Sequence, residues 1–358
     1  MLGPAAQEQV CTFDAFTTGH PNLLRADAKV RAFVDAPAGS AVLLTFGPTG
    51  AGKTTLVRRV AEKITEQQAE ALALDPQRHP PLVFDCPAST GGNFSWSEFL
   101  IRGLEALLEP AAASKRLVPE DPKLPIDRAR LRNVGDLRRA FVGAVRARRP
   151  AAIFVDEASQ LTGVGSGQRL LAQLDFIKSL ADATESVFVL AGTYELQALR
   201  NLSGQLGRRC QEVHFERYRL DDPADQRTFA SVLKTFAREL PMDGGLVLAD
   251  PEWVYLRTAG CVGTLKQWLL RALAAALEEG TEIKRRHLEA TALSVHALQA
   301  IAAEIQLGEN ALRETPEAFA ELERLLGWQR PRVAPPARPR TGRRPQRAPG
   351  RDPVGFAA

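Results

Sequence analysis

The stretch VLLTFGPTGAGKTTL, residues 42–56, constrains this chain more than any other. An apolar run, 42–46, stops at Gly47, and the spacing G-x-x-x-x-G-K-T then runs from Gly47 to Thr54 before a helical pattern begins. Strand, glycine-rich turn and helix in that order are the context a phosphate-binding loop requires. Without a Cβ at Gly47, Gly50 and Gly52, successive N–H groups can curl around an anion. Pro48, Thr49 and Ala51 complete the loop, and Thr55 follows it into the helix. Lys53 would reach the β- and γ-phosphates, and the Thr54 hydroxyl would hold Mg²⁺. Leu56, Val60 and Ile64, four apart, place one apolar stripe of the helix on a sheet.

At 358 residues the chain has room for one large or two modest domains. No segment reaches the apolar length that spans a bilayer, and MLGPAAQEQV lacks the basic and apolar regions of a signal peptide. Cys11, Cys86, Cys210 and Cys261 show no C-x-x-C spacing and the histidines are isolated, so neither zinc nor disulfides are indicated. The default location is a reducing cytoplasm. The net charge of +4 is uneven: residues 331–358 hold seven arginines and one aspartate, a net of +6, so the rest carries 4 − 6 = −2. Any electrostatic appetite for nucleic acid therefore sits in the tail or in local patches.

In order, residues 1–21 read as an arm with Phe13 and Phe16, and 22–35 as a helix. The helix after the loop is expected to run to about Leu74. Residues 82–84 are a buried strand, followed by a polar loop at 89–95 and a helix at 96–108. Residues 109–133, with four prolines, read as a basic insertion. Its Lys115, Arg116, Arg128, Arg130 and Arg132 are either DNA contacts or a solvated surface. After a helix at 134–149, strands are expected at 151–155, 187–190 and around Val213 and Phe215. Strands that are apolar throughout and alternate with helices imply an α/β fold, a parallel sheet covered on both faces. From Asp221 only helices follow (223–240, 251–259, 263–279, 285–298 and one or two more over 304–328), forming an α-helical lid. Residues 331–358, rich in Pro and Arg, are expected to be disordered.

A phosphate loop needs an acidic partner at the end of a neighbouring buried strand. The run AAIFVDE supplies it: Asp156 would hold the Mg²⁺ shell and Glu157 would activate the attacking water. Thr193 ends the next strand, where it would meet the γ-phosphate or the lytic water. Arg208 and Arg209 precede the last strand, too far from their own nucleotide but placed to reach a neighbour's, with Arg209 favoured. Such a finger implies head-to-tail assembly, closing as a ring or growing as a filament. In the lid, Gly263-Thr264-Leu265-Lys266 opens a helix from which Lys266 would face the phosphates.

Together these elements, over 22–298, resemble the AAA+ ATPases in kind and order. The resemblance implies a P-loop three-layer sheet of strand order 5-1-4-3-2, an AAA+ domain at 22–219, a lid with C-terminal helices at 220–330, and ATP hydrolysis with Mg²⁺. Many relatives carry an arginine where this chain has Lys266. Within that family, VFVLAGTYELQALRNLSGQLGRRCQEVHFERY, 187–218, resembles the TnsC/TniB transposition regulators. That likeness implies an ATP-dependent oligomer on double-stranded DNA that engages a transposase and a target-selection protein. A helicase loader, a replication initiator or a nucleotide-latched scaffold with negligible turnover are the other readings.

Overall fold

The computed structural model describes residues 2–89, 94–108, 133–163, 167–200, 210–243, 245–328 and 350. The polar loop at 90–93, the basic insertion with Lys115, Arg116, Arg128, Arg130 and Arg132, the pair Arg208 and Arg209, and nearly all of the Arg/Pro-rich tail lie outside the described residues.

Five strands form one parallel sheet: β1 (Val42–Phe46), β2 (Leu82–Asp85), β3 (Ala152–Asp156), β4 (Val187–Gly192) and β5 (Cys210–His214), in the order β2-β3-β4-β1-β5. This is the expected order 5-1-4-3-2. Every residue of β1 and β3 is buried, as strands covered on both faces require. The pairing of Phe46 with Gly192 and of Val155 with Leu190 brings the C-terminal ends of β1, β4 and β3 level with one another. Functional groups that follow these strands are thereby gathered at one edge, with β4 in the middle.

Helices α1 (Pro4–Ala15), α2 (Pro21–Asp35), α3 (Lys53–Gln67) and α4 (Ala69–Leu74) precede β2, and α5 (Trp96–Leu108), α6 (Val134–Arg148) and α7 (Gln168–Thr184) complete the layers. On one face α2 and α3 pack Leu23, Val30 and Phe33 with Leu56, Val60 and Ile64 against the sheet. The buried carboxylate of Asp27 ties these two helices together, pairing with Arg31 at 3.1 Å and with Lys63 of α3. The helix after the loop does not run unbroken to Leu74: it stops at Gln67 and restarts at Ala69.

The lid comprises α8 (Pro223–Arg238), α9 (Pro251–Thr258), α10 (Val262–Glu278) and α11 (Arg285–Thr291). Its core surrounds Trp268, whose indole N–H donates to the Leu288 carbonyl at 2.8 Å. The region read as an arm is partly the helix α1, and it belongs to this core. Phe13 is buried there, edge-on to Phe236 at 5.9 Å between ring centres. The single helix expected over 285–298 is two: α11 ends at Thr291, and α12 (Val295–Leu312) starts after a short turn. Chain 1–311 is one compact unit and Leu312–Ala358 another; the latter contains α13 (Pro316–Leu325), capped by Thr315, which accepts from the Ala318 N–H. Among the described residues no helix is long and apolar enough to cross a membrane.

Candidate nucleotide site

The loop Gly47–Gly52 leaves β1 and enters α3 at Lys53. Gly50 and Gly52 take positive φ, 78° and 107°, which side-chain-bearing residues rarely adopt. The Lys53 ammonium folds back over the loop, donating to the carbonyls of Gly47 and Pro48 at 3.0 and 2.9 Å. Burial lowers its pKa below the usual lysine value, while Glu157, Cys261, Glu304 and Asp156 pull it back up. A half-buried cation beside a concave loop at a helix N-terminus is a site for a polyphosphate. Thr54 stands exposed one residue on, and Thr55 is half-buried.

Asp156 is buried at the end of β3, and its Oδ1 accepts the Glu157 N–H at 2.8 Å. Glu157 itself is left-handed, with φ 51° and ψ 30°. This conformation is uncommon for a residue other than glycine and carries strain of the kind found at functional sites. It turns the chain sharply out of the strand and leaves the Glu157 side chain exposed. One carboxylate is thus fixed and buried and the next is projected. The Asp156 carboxylate and the Thr54 hydroxyl are hard oxygen donors, a set that suits Mg²⁺ completed by water and phosphate.

Thr193 follows β4, between the ends of β3 and β1. A residue that sequence reasoning missed holds it. The Ser159 hydroxyl accepts the Thr193 N–H at 2.6 Å and lies 3.0 Å from the Thr193 hydroxyl. Ser159 is buried in the short 3-10 turn Ala158–Leu161 directly after Glu157, so Thr193 is coupled to the acidic pair through one side chain.

The lid meets the loop by backbone. Thr264 N–H donates to the Gly50 carbonyl at 2.9 Å, and a Cβ on Gly50 would stand 2.0 Å from Thr264 Oγ1. Lys266 lies beside this contact and lines a small cavity of about 30 Å³ with Ala51, Gly52, Thr55 and Phe215. Its ammonium donates to the Asp14 carbonyl of α1 and lies 3.9 Å from that carboxylate. Lys266 thus contacts α1 in this structure, and Gly263 and Thr264 of the lid meet the loop. The segment Thr17, Thr18 and His20 also lines this cavity.

The residues so arranged match a known family. A profile described as "AAA domain" matches residues 38–200. This segment is similar to AAA domains. It begins just before β1 and ends after Thr193, so the match covers the phosphate loop, the acidic pair and Ser159, with β5 and the lid following it. Among solved structures, a Walker-type ATPase of Pyrococcus abyssi has 17% identity and a TM-score of 0.50, covering 84% of this chain and 75% of that one. The ORC2 protein of Aeropyrum pernix, solved as ADPNP-ADP complexes, has 16% identity and a TM-score of 0.48 over 77% of this chain and 70% of that one. Domain III of the Thermotoga maritima replication initiation protein DnaA has 16% identity and a TM-score of 0.44, covering 81% and 97% respectively. The first of these likenesses supports the AAA+ P-loop fold and nothing beyond the fold. No curated protein matches the chain in sequence at a significant level.

Proposed function

We propose that this chain binds and hydrolyses ATP with Mg²⁺ and uses the cycle to assemble on, and leave, double-stranded DNA as a regulator of transposition. The observation that carries the ATPase reading is the convergence of Lys53, Asp156-Glu157 and Thr193 at one sheet edge. In this scheme Mg²⁺, held by Thr54 and Asp156, supplies charge neutralisation on the phosphates. The loop from Gly47 to Thr55 binds the phosphates and Lys53 offsets their charge. Glu157 takes a proton from the attacking water, which Thr193 helps to orient. The base would enter the small cavity between the segment at 17–20 and Val262. At about 30 Å³ that space is too small for a purine, so the segment and the lid must part to admit it.

The assembly half of the reading is supported by the likeness of 187–218 to the TnsC/TniB regulators. Arg209, with Arg208 beside it, would complete the neighbour's site, so that ATP favours a head-to-tail ring or filament and hydrolysis releases it. Lys115, Arg116, Arg128, Arg130 and Arg132 would supply DNA phosphate contacts, each small alone and additive along a polymer. Partners in this reading are a transposase and a target-selection protein. Sedimentation of the purified chain with ATP, Mg²⁺ and duplex DNA tests it. A DNA-bound oligomer that Arg209→Ala abolishes is expected; ATP-independent, monomeric behaviour on DNA would refute the assembly reading while leaving ATP hydrolysis to be judged separately.

A further inference from the structure

Beyond the lid, α12 does not continue the lid bundle. It packs over the sheet edge that carries the phosphate loop, and its contacts there are specific. The Arg217 guanidinium, just past β5, makes a two-pronged ion pair with Glu309 at 2.8 and 3.2 Å. Gln197, just past Thr193, donates its amide to the Gly308 carbonyl at 3.1 Å. Gly308 lies so close to Tyr194 that a Cβ there would stand 2.1 Å from the ring, and Ile305 is buried beside it. Tyr194 is held in turn by His214 of β5, at 2.9 Å from its hydroxyl. Four residues N-terminal to Gly308, Glu304 meets the loop: the Thr49 hydroxyl donates toward its two carboxylate oxygens at 3.4 and 3.2 Å. Glu304 is also among the groups that raise the pKa of Lys53 against the lowering by burial.

A carboxylate in the field of the ammonium that would hold polyphosphate is a rival anion. Its charge and that of a terminal phosphate held by Lys53 would repel. Glu304 shares one rigid helix with Gly308 and Glu309, so driving it off the loop strains the contacts to Gln197, Tyr194 and Arg217. We propose that α12 is an intramolecular clamp on the phosphate loop, in which Glu304 opposes the terminal phosphate of a nucleoside triphosphate and nucleotide entry loosens the helix. The clamp rests on the nucleotide reading of this site and adds its regulation. It discriminates by charge: a triphosphate presses on Glu304 harder than a diphosphate, and salt weakens the difference.

The test is equilibrium binding of fluorescent ATP and ADP analogues to the full chain, with Mg²⁺, for wild type, Glu304→Gln and Gly308→Ala. Glu304→Gln removes the charge while keeping the shape, and Gly308→Ala forces α12 from its seat against Tyr194. Both variants are expected to bind the ATP analogue about 3- to 10-fold more tightly than wild type, with a smaller change for the ADP analogue and a smaller gap at high salt. Glu304→Gln that binds the ATP analogue as wild type does, or more weakly, overturns the clamp while the nucleotide reading stands. If wild type and both variants bind neither analogue, the nucleotide reading falls and the clamp with it.

Discussion

Ser159 offers the sharpest link between a single side chain and turnover. Ser159→Ala removes one hydroxyl and nothing else from a buried turn. That hydroxyl accepts the Thr193 N–H at 2.6 Å and sits 3.0 Å from the Thr193 hydroxyl. Losing it leaves the Thr193 N–H, half-shielded after β4, without its acceptor. An orphaned donor of this kind costs about 1–3 kcal/mol, and the lower half of that range applies because Thr193 is partly open to water. The second effect is on chemistry. With its orienting partner gone, the Thr193 hydroxyl samples other rotamers, and a loss of about 1.4 kcal/mol in the transition state lowers kcat about tenfold. The phosphate loop is not touched, so KM for ATP should stay within about twofold, the signature of an interaction made in the transition state. Gly192→Ala should act in the same direction and more strongly, because its Cβ would stand 2.4 Å from Ser159 Oγ and 2.8 Å from Ser159 N. Urea denaturation gives the stability term and steady-state phosphate release the kinetic one. A Ser159→Ala protein with wild-type stability and wild-type kcat would refute the reasoning, as would one in which KM alone rises.

Other consequences follow for His20, for the lid core and for Lys53. His20 accepts the Leu23 N–H and lies 2.9 Å from the Tyr218 hydroxyl, and burial, with a lesser contribution from Arg59, lowers its pKa to about 4. A depressed folded-state value means that stability is intact above the ordinary histidine pKa of about 6.5 and is lost as pH falls toward 4, by about 3 kcal/mol. Urea midpoints between pH 7 and 4 should show this loss in wild type and much less of it in His20→Gln. Trp268→Ala should cost the lid about 3–5 kcal/mol, seen as an early unfolding step in calorimetry, since it empties the lid core and orphans the Leu288 carbonyl. Lys53→Met should abolish retention of fluorescent ATP at micromolar concentration while leaving the circular dichroism of the fold unchanged.

Much of this architecture was legible because it is local and repetitive. The spacing from Gly47 to Thr54, the apolar strand ending in Asp156-Glu157 and the alternation of strand with helix each follow from short-range pattern, and the strand order followed from the family they resemble. What was not legible depends on approach in three dimensions. Helix α1 has no strong apolar face, and it is fixed by Phe13 entering the lid core. Ser159 is 34 residues from Thr193 in sequence, so no periodicity joins them. At 263–266 the lysine is the residue whose charge stands out, whereas the loop is met by the Thr264 N–H and by Gly263, where a Cβ would stand 2.6 Å from the Gly50 carbonyl. The seat of α12 is built from Glu304, Ile305, Gly308 and Glu309, a mixture that reads as an ordinary amphipathic helix until Tyr194 and Arg217 are placed beneath it. The break at Gln68 has no proline or glycine to announce it.

In the proposed mechanism Glu157 activates the lytic water at the site built by the loop and the acidic strand end. Phosphate release from ATP by the purified chain, with Mg²⁺ and with or without duplex DNA, compared between wild type and Glu157→Gln, tests it most directly. Turnover is expected in wild type, with a loss of at least about 100-fold in Glu157→Gln and ATP still bound. Equal phosphate release by the two proteins, or none by wild type under any of these conditions, would contradict it.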